Sequence, residues 1–509
     1  PLHGQLMVDS GTQARLFLET VDEVWKDHRA SLEEAFADAI RGLEELVHVD
    51  DYHHHAHDRD QLERSLGPLG SSNLDLGSLS RMLGKSTHSR AMPPERLTRV
   101  QGLIPQLVQI KQELAVTLAQ STLIDIERDL DEILSLAEEH LNRAAQVFRT
   151  LRTAQMEVRS KYESETHDAL FENFTWRQLG PSELRLCPPF VVVARLDGKS
   201  GATLRKMMSL LETGIPIKIL ALRSSLREVY SAVAGTAVIA TLSVEMLASA
   251  MRGVHFVQTC ACVPEFQSQF FTAIVAPRPS VISLLSARNR EEPGAFERRA
   301  EGAMRSRAFP MCTYDPDRTK CFADCFDLSS NPSPNEIWTV EALSGPDLLG
   351  HPLELEEAFT FAHFAATDPE FASEFSDPPA SADDLVPMAE YLELSRHQRA
   401  GKLPFIWCMS DEGSVVRKVV SQTVALQCAE RRHLWCTLRE IAGLDNPHVK
   451  AARAELRREL TAQHEESIQK LRTEMEKQLA RREKAAVATA IRNLVAKLAG
   501  FEDHSTGDT

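Results

Sequence analysis

The chain has 509 residues, roughly two to four domains' worth, so a large buried core is expected and a lone peptide or mini-domain is excluded. Hydrophobic residues make up 43% and charged residues 26%, the balance of a soluble globular protein and not of a disordered, fibrous or membrane one. With 57 basic against 73 acidic side chains the formal charge is −16, which repels phosphate backbones and anionic lipid and argues against nucleic acid or a membrane as partner.

From about Thr12 to Tyr162 the pattern is helical. Leu16, Val21, Val24, Trp25, Leu32, Phe36, Ile40 and Leu43 recur mostly at three- and four-residue spacing, as in an amphipathic helix. A polar interval from Asp50 to about Pro93 interrupts it. Within this interval His53-His54-His55-Ala56-His57-Asp58, preceded by His48 and Asp50-Asp51, gathers possible metal ligands, although consecutive histidines point in different directions and a polar helix end explains them as well. Helical periodicity resumes at Leu97, and Leu123, Ile126, Leu130, Ile133, Leu134, Leu136 and Leu141 predict a long hairpin or bundle that holds a partner helix or another subunit.

Near Leu186 the pattern changes. Short β-branched runs at Phe190–Ala194, Ile217–Leu220, Ala237–Ala240, Val254–Val257 and Ser280–Leu284 alternate with helix-length segments. This alternation predicts an α/β fold with a doubly wound parallel sheet, because near-continuous apolar strands need helices on both faces. Ala232 to Met251 carries a single charge, at Glu245, but Gly235, Thr236, Thr241 and Ser243 break the apolar run, so it reads as a strand and helix and no membrane insertion is expected. Ligands of such sheets sit at the carboxyl ends of the strands, which singles out the loops Leu196–Gly201 and Thr259–Pro264.

Beyond Pro310 the Pro- and Asp-rich stretches through Asp384 are connections. Pro404–Met409 and Ser414–Val420 predict a β-hairpin. A helix follows to Gly443, its C-cap, and Asn446-Pro447 opens a charged helix toward Leu498. On that helix Leu456, Leu460, Ile468, Leu471 and Met475 form an imperfect stripe, open to a short coiled coil, a docking helix or a solvated surface helix. The expected division is therefore 1–182 helical, 183–345 α/β, 346–445 connecting with the hairpin, and 446–509 the long C-terminal helix.

Among chemical motifs, Asp197-Gly198-Lys199-Ser200 after a strand offers backbone amides and a helix start to a phosphate, with Asp197 able to hold a divalent cation; an ordinary tight turn is the competing reading. The spacing is not that of a P-loop. Cys260-x-Cys262 and Cys321-x3-Cys325 lack paired C-x-x-C knuckles, and no Gly-x-Ser-x-Gly elbow occurs. Trp407, Trp435 and the phenylalanines at 266–271 are expected in the core. Nine cysteines at no regular spacing are unlike a secreted disulfide scaffold and point to a reducing, cytoplasmic setting, and no signal peptide shows at Pro1–Gln5.

The run from Leu186 to Trp338 resembles the thiamine-diphosphate-binding domain of the pyruvate:ferredoxin oxidoreductase (2-oxoacid:acceptor oxidoreductase) family. The resemblance rests on the order of several short motifs. They are Val191-Val192-Val193 with Asp197-Gly198, Leu210–Leu220, Val229-Tyr230-Ser231, Phe256–Thr259 leading into Glu265–Phe271, Pro279–Ile282, and Ser306–Pro310 with Tyr314–Asp317. It implies thiamine diphosphate and Mg2+ bound through Asp197, Gly198, Lys199 and Ser200. The motif departs from the family's, with Leu196 where the family has the first glycine of Gly-Asp-Gly and Ala232 after Tyr230-Ser231 where it has a magnesium-binding asparagine. Cys187 alone precedes the first strand, where the family has a Cys-x-x-Cys. The resemblance thus implies a degenerate cofactor domain. The expected role is a non-catalytic or regulatory subunit of a multi-subunit oxidoreductase complex, with other subunits as partners. The alternatives are an active thiamine-diphosphate half-site and a helical scaffold without cofactor.

Overall fold

The computed structural model describes residues 10–55, 58–71, 75–87, 92–117, 122–197, 200–227, 230–233, 236–239, 244–347, 349–379, 384–410 and 412–499. Contacts divide the chain into two units, Pro1–Ala442 and Gly443–Thr509.

The first unit begins with the long helix α1 (Ser10–His55), followed by α2 (Arg59–Ser71), α3 (Leu76–Thr87) and α4 (Pro94–Thr117). The polar interval is thus itself partly helical. The expected continuous helical run is broken by strand β1 (Thr122–Asp125), and helix α5 (Leu130–Val158) starts only after it, with Asp129 as N-cap accepting from the Asp131 amide. Leu123 and Ile126, read above as part of a helical face, lie in β1 and just beyond it. Helices α6 (Ser164–Glu172) and α7 (Pro181–Leu184) lead to β2 (Phe190–Arg195). Because β1 pairs in parallel with β2, Thr122 beside Phe190, residue 182 is not a structural boundary. The region expected to be all-helical contributes the first strand of the sheet.

The α/β part continues through α8 (Ser200–Glu212), β3 (Lys218–Arg223), β4 (Tyr230–Val233), β5 (Thr236–Ile239), α9 (Val244–Ala250), β6 (His255–Thr259), α10 (Phe266–Val275) and β7 (Ser280–Leu285). Then come α11 (Pro293–Arg305), β8 (Cys312–Tyr314) and β9 (Phe326–Asp327). The sheet order is β1-β2-β3-β7-β6-β8-β9. Its first five strands run parallel; β8 pairs antiparallel to β6, and β9 antiparallel to β8. One expected strand is placed differently: Thr236–Ile239 forms an antiparallel hairpin with Tyr230–Val233 and does not join the main sheet.

Strand alternation sends side chains to two separate cores. Val192, Ala194, Ile219, Ala221 and Val281 pack with α1, α4, α5 and α8, where Phe36, Leu107, Phe148 and Leu210 are buried. Val191, Val193, Leu220, Leu222, Ile282 and Leu284 pack with Phe266, Phe270, Ala273 and Ile274 of α10.

The remainder of the unit comprises the antiparallel pair β10 (Thr339–Pro346) and β11 (Pro352–Phe359), helix α12 (Phe361–Thr367), and a small sheet. That sheet holds β12 (Phe375–Ser376), β13 (Leu385–Pro387), β14 (Leu403–Met409) and β15 (Val415–Val420), with α13 (Met388–Glu393) after β13. The expected hairpin is present, with Trp407 opposite Arg417. Helix α14 (Gln422–Ile441) is capped by Ser421, whose hydroxyl accepts from the Val424 amide, and it ends before Gly443, whose φ of 73° is the left-handed geometry of a helix C-cap. Trp435 is fully buried, whereas Trp407 is only half-buried on its strand.

In the second unit, Asn446 caps α15 (Pro447–Leu498) by accepting from the His448 and Val449 amides. Proline stands at the first helical position. Among the described residues no helix is long and apolar enough to cross a membrane.

Candidate functional site

The carboxyl ends of β2, β3, β6 and β7 form the edge where an open α/β sheet holds its ligands. Asp197 stands two residues past the end of β2 and is exposed. Its Oδ1 accepts hydrogen bonds from the backbone amides of Ser224, at 2.8 Å, and Ser225, at 3.1 Å. The carboxylate therefore ties the loop after β3 to the end of β2. Gly198 and Lys199 lie outside the described residues, and Ser200 is the first residue of α8.

Next to this loop the edge is bridged by polar contacts. The Ser225 hydroxyl donates to Glu370 Oε2 at 2.6 Å. Arg227 donates to the Glu370 carbonyl and pairs with Glu374 at 3.0 Å. Arg288, just past β7, pairs with Asp368 at 2.6 Å, and the Asp368 side chain is fully buried. Arg299 of α11 is a buried hub whose Nη2 donates to the Ser286 carbonyl at 2.8 Å and whose Nη1 donates to that of Ser224 at 3.3 Å. Its Nε pairs with Glu291 at 2.7 Å. One side chain thus joins the loops after β3 and β7.

Beneath these contacts lies an apolar core. Leu226 after β3, Cys260 and Val263 after β6, and Leu285 and Ala287 of the β7 end pack with Phe296 of α11, Phe361 and Phe364 of α12, Phe371, Ile406 and Val424. Segments C-terminal to the α/β part thereby pack over the strand ends. A cleft of about 760 Å³ lies between the loop after β7, α11 and the segment around Phe359 and Thr367–Pro369, lined by Arg288, Arg290, Arg298, Arg299 and Arg305 together with Glu291, Glu292, Glu301, Glu341 and Asp368. Its charges are balanced, and Arg288, Arg299 and Arg305 are already paired with Asp368, Glu291 and Glu341.

The donor set does not fit a magnesium diphosphate. The carboxylate expected to hold the metal is engaged with two amides, and alanine stands at 232 where the resemblance calls for an asparagine ligand. Among the described residues no three His, Cys, Asp or Glu side chains converge to hold a metal ion. His53, His54 and His55 stand in the last turn of α1, where His54 faces Asp50 at 3.7 Å and His55 faces Asp51 at 3.3 Å, while His57 lies outside the described residues. Asp50 is itself buried and accepts from the Met92 amide. None of the nine cysteines is in a disulfide, and burial pushes the Cys187 and Cys428 thiols up to about 12.

A polar row at the opposite, amino edge of the sheet was not singled out from sequence. Lys218, Ser280 and His255 stand side by side in register on β3, β7 and β6, all buried. Lys218 Nζ donates to the Ala276 and Arg278 carbonyls and to Ser280 Oγ, at 2.5, 2.8 and 3.2 Å. The row closes the turn before β7. A lysine at the start of an apolar strand was the available signal.

No protein-family model matches the chain, and no curated protein matches it either.

Proposed function

We propose that the chain is a non-catalytic subunit, structural or regulatory, of a multi-subunit oxidoreductase complex related to the 2-oxoacid:acceptor oxidoreductases. Its α/β part is read as a doubly wound cofactor domain kept for its shape. Helices α8 and α10 on opposite sheet faces support the doubly wound reading. A cytoplasmic location suits nine cysteines with no disulfide among them.

The observation that carries the proposal is the covered carboxyl edge. Phe361, Phe364 and Phe371 are each at most 1% exposed against residues of the strand ends, and Asp197 is bound to the neighbouring loop. A catalytic thiamine-diphosphate site would need that edge open and its metal-binding carboxylate free. Native mass spectrometry of the endogenous protein tests the reading. The expected result is co-migration with redox-cofactor subunits and no thiamine diphosphate on this chain. Stoichiometric thiamine diphosphate with magnesium would make the chain an enzyme half-site, and a monomer without partners would reduce it to a scaffold.

A further inference from the structure

Helix α15 is unbroken for 52 residues and buries none of them. At 1.5 Å per residue it is about 78 Å long. Large apolar side chains stand out from it, with Leu471 65%, Met475 70% and Leu479 60% exposed. Eight of the twelve exposed large ones share one spacing, and Val449, Val487, Ile491 and Val495 stand off it. From Leu456, three steps of four residues reach Leu460, His464 and Ile468, and a step of three reaches Leu471. The same steps continue over Met475, Leu479 and Glu483 to Ala486. A third round passes Ala490 and Leu494 to Leu498. Ten of these twelve positions are apolar, in a 15-residue repeat whose mean step is 3.75 residues.

On a helix of 3.6 residues per turn such a stripe is not straight. It advances about 60° around the axis every fifteen residues, so the helix as a whole shows little amphipathicity. A partner helix can follow it only by supercoiling in the right-handed sense, opposite to a heptad coil.

We propose that this stripe is the interface with a second copy of the chain, forming an antiparallel right-handed coiled coil. The step order reads the same from either end, so every stripe position of one copy meets a stripe position of an antiparallel copy. Leu456 then faces Leu498, Leu460 faces Leu494, and Met475 faces Leu479. Large residues also meet small ones, as with Ile468 opposite Ala486, which fills space evenly. Glu483 faces Leu471, whose neighbours Lys470 and Arg472 bring cations to it. In a parallel pair Glu483 would face itself and Ala486 and Ala490 would leave voids.

The area is sufficient. Eight large apolar side chains per copy, at roughly 60–100 Å² each, bury about 1,000–1,600 Å², within the range of stable dimers. The helix carries twelve Lys and Arg against seven Glu, a net charge of +5, so two copies repel and salt should tighten the pair. An acidic partner would show the opposite dependence. This inference stands independently of the proposed oxidoreductase role.

The test is sedimentation of the full-length chain at low and high salt, alongside Leu479→Asp and cysteine variants at the crossing point. The expected result is a dimer that tightens with salt and weakens at least tenfold in Leu479→Asp, with unchanged circular dichroism. Met475→Cys combined with Leu479→Cys should give an intermolecular disulfide between the two positions by peptide mapping, and Met475→Cys alone should give no link to itself. A chain that stays monomeric, a dimer indifferent to Leu479→Asp or loosened by salt, or a self-link through Met475→Cys alone would overturn the proposal.

Discussion

Replacing Asp197 by alanine separates a structural carboxylate from a metal ligand. The carboxylate accepts two backbone hydrogen bonds, from the amides of Ser224 and Ser225. A side-chain carboxylate satisfying loop or helix-start amides contributes about 0.5–2 kcal/mol, and the exposure of Asp197 keeps it within that range because water can replace the lost acceptor. We therefore expect Asp197→Ala to cost about 1–2 kcal/mol locally, which is roughly a 5- to 30-fold faster amide exchange at Ser224 and Ser225. Asp197→Asn keeps an acceptor but loses the charge, so it should fall between. Hydrogen exchange followed at these amides is the assay, because unfolding of so large a chain is not two-state. Unchanged exchange at both amides, or a gain in stability paired with loss of a magnesium-dependent stabilisation present in the wild type, would refute the reasoning.

The remaining predictions concern the two edges of the sheet. His255 is buried with neither ring nitrogen hydrogen-bonded among the described residues, and burial, reinforced by Lys218 and Arg278 against the pull of Asp315, lowers it to about 4. Between pH 6.5 and about 4 the unfolded chain then binds a proton that the folded chain does not, so stability should fall as the pH drops through this window. His255→Leu should remove that part of the acid sensitivity in thermal melts at stepped pH; an identical slope in the variant would show that His255 is not the titrating group. Arg299→Met should cost about 3–5 kcal/mol by leaving Glu291 without its buried partner, and hydrogen exchange at the Ser286 and Arg288 amides beside it would read it, with a loss below 1 kcal/mol counting against the hub role. Phe364→Ala should cost a similar amount, about 3–5 kcal/mol, and should speed exchange at Leu226 and Val263; a purely local effect confined to α12 would mean that the strand ends do not depend on this cover.

What the sequence revealed of the fold follows from how much local chemistry each element carries. The strands of the parallel sheet were legible because a strand buried on both faces is an unbroken β-branched run, as at Phe190–Ala194 and Ser280–Leu284. The caps of the last two helices were legible because Gly443 and Asn446-Pro447 act through their own backbone geometry. Strand β1 was not, since four residues, Thr122–Asp125, are too few to show a period between two long helices. Ala237–Ala240 reads as a sheet strand because composition does not say which neighbour a strand pairs with. At the candidate site, sequence located Asp197 at the carboxyl edge but could not show what the carboxylate binds. The covering of that edge joins residues more than 130 positions apart, such as Leu226 with Phe361 and Ser225 with Glu370, and no local pattern encodes such contacts.

The most direct test of a closed, non-catalytic carboxyl edge is hydrogen exchange of the full-length chain with and without thiamine diphosphate and Mg2+. The account predicts that the loops at 224–227, 259–264 and 286–291 are already protected and that the cofactor changes none of them. Rapid exchange in these loops that slows on adding thiamine diphosphate with Mg2+ would contradict it.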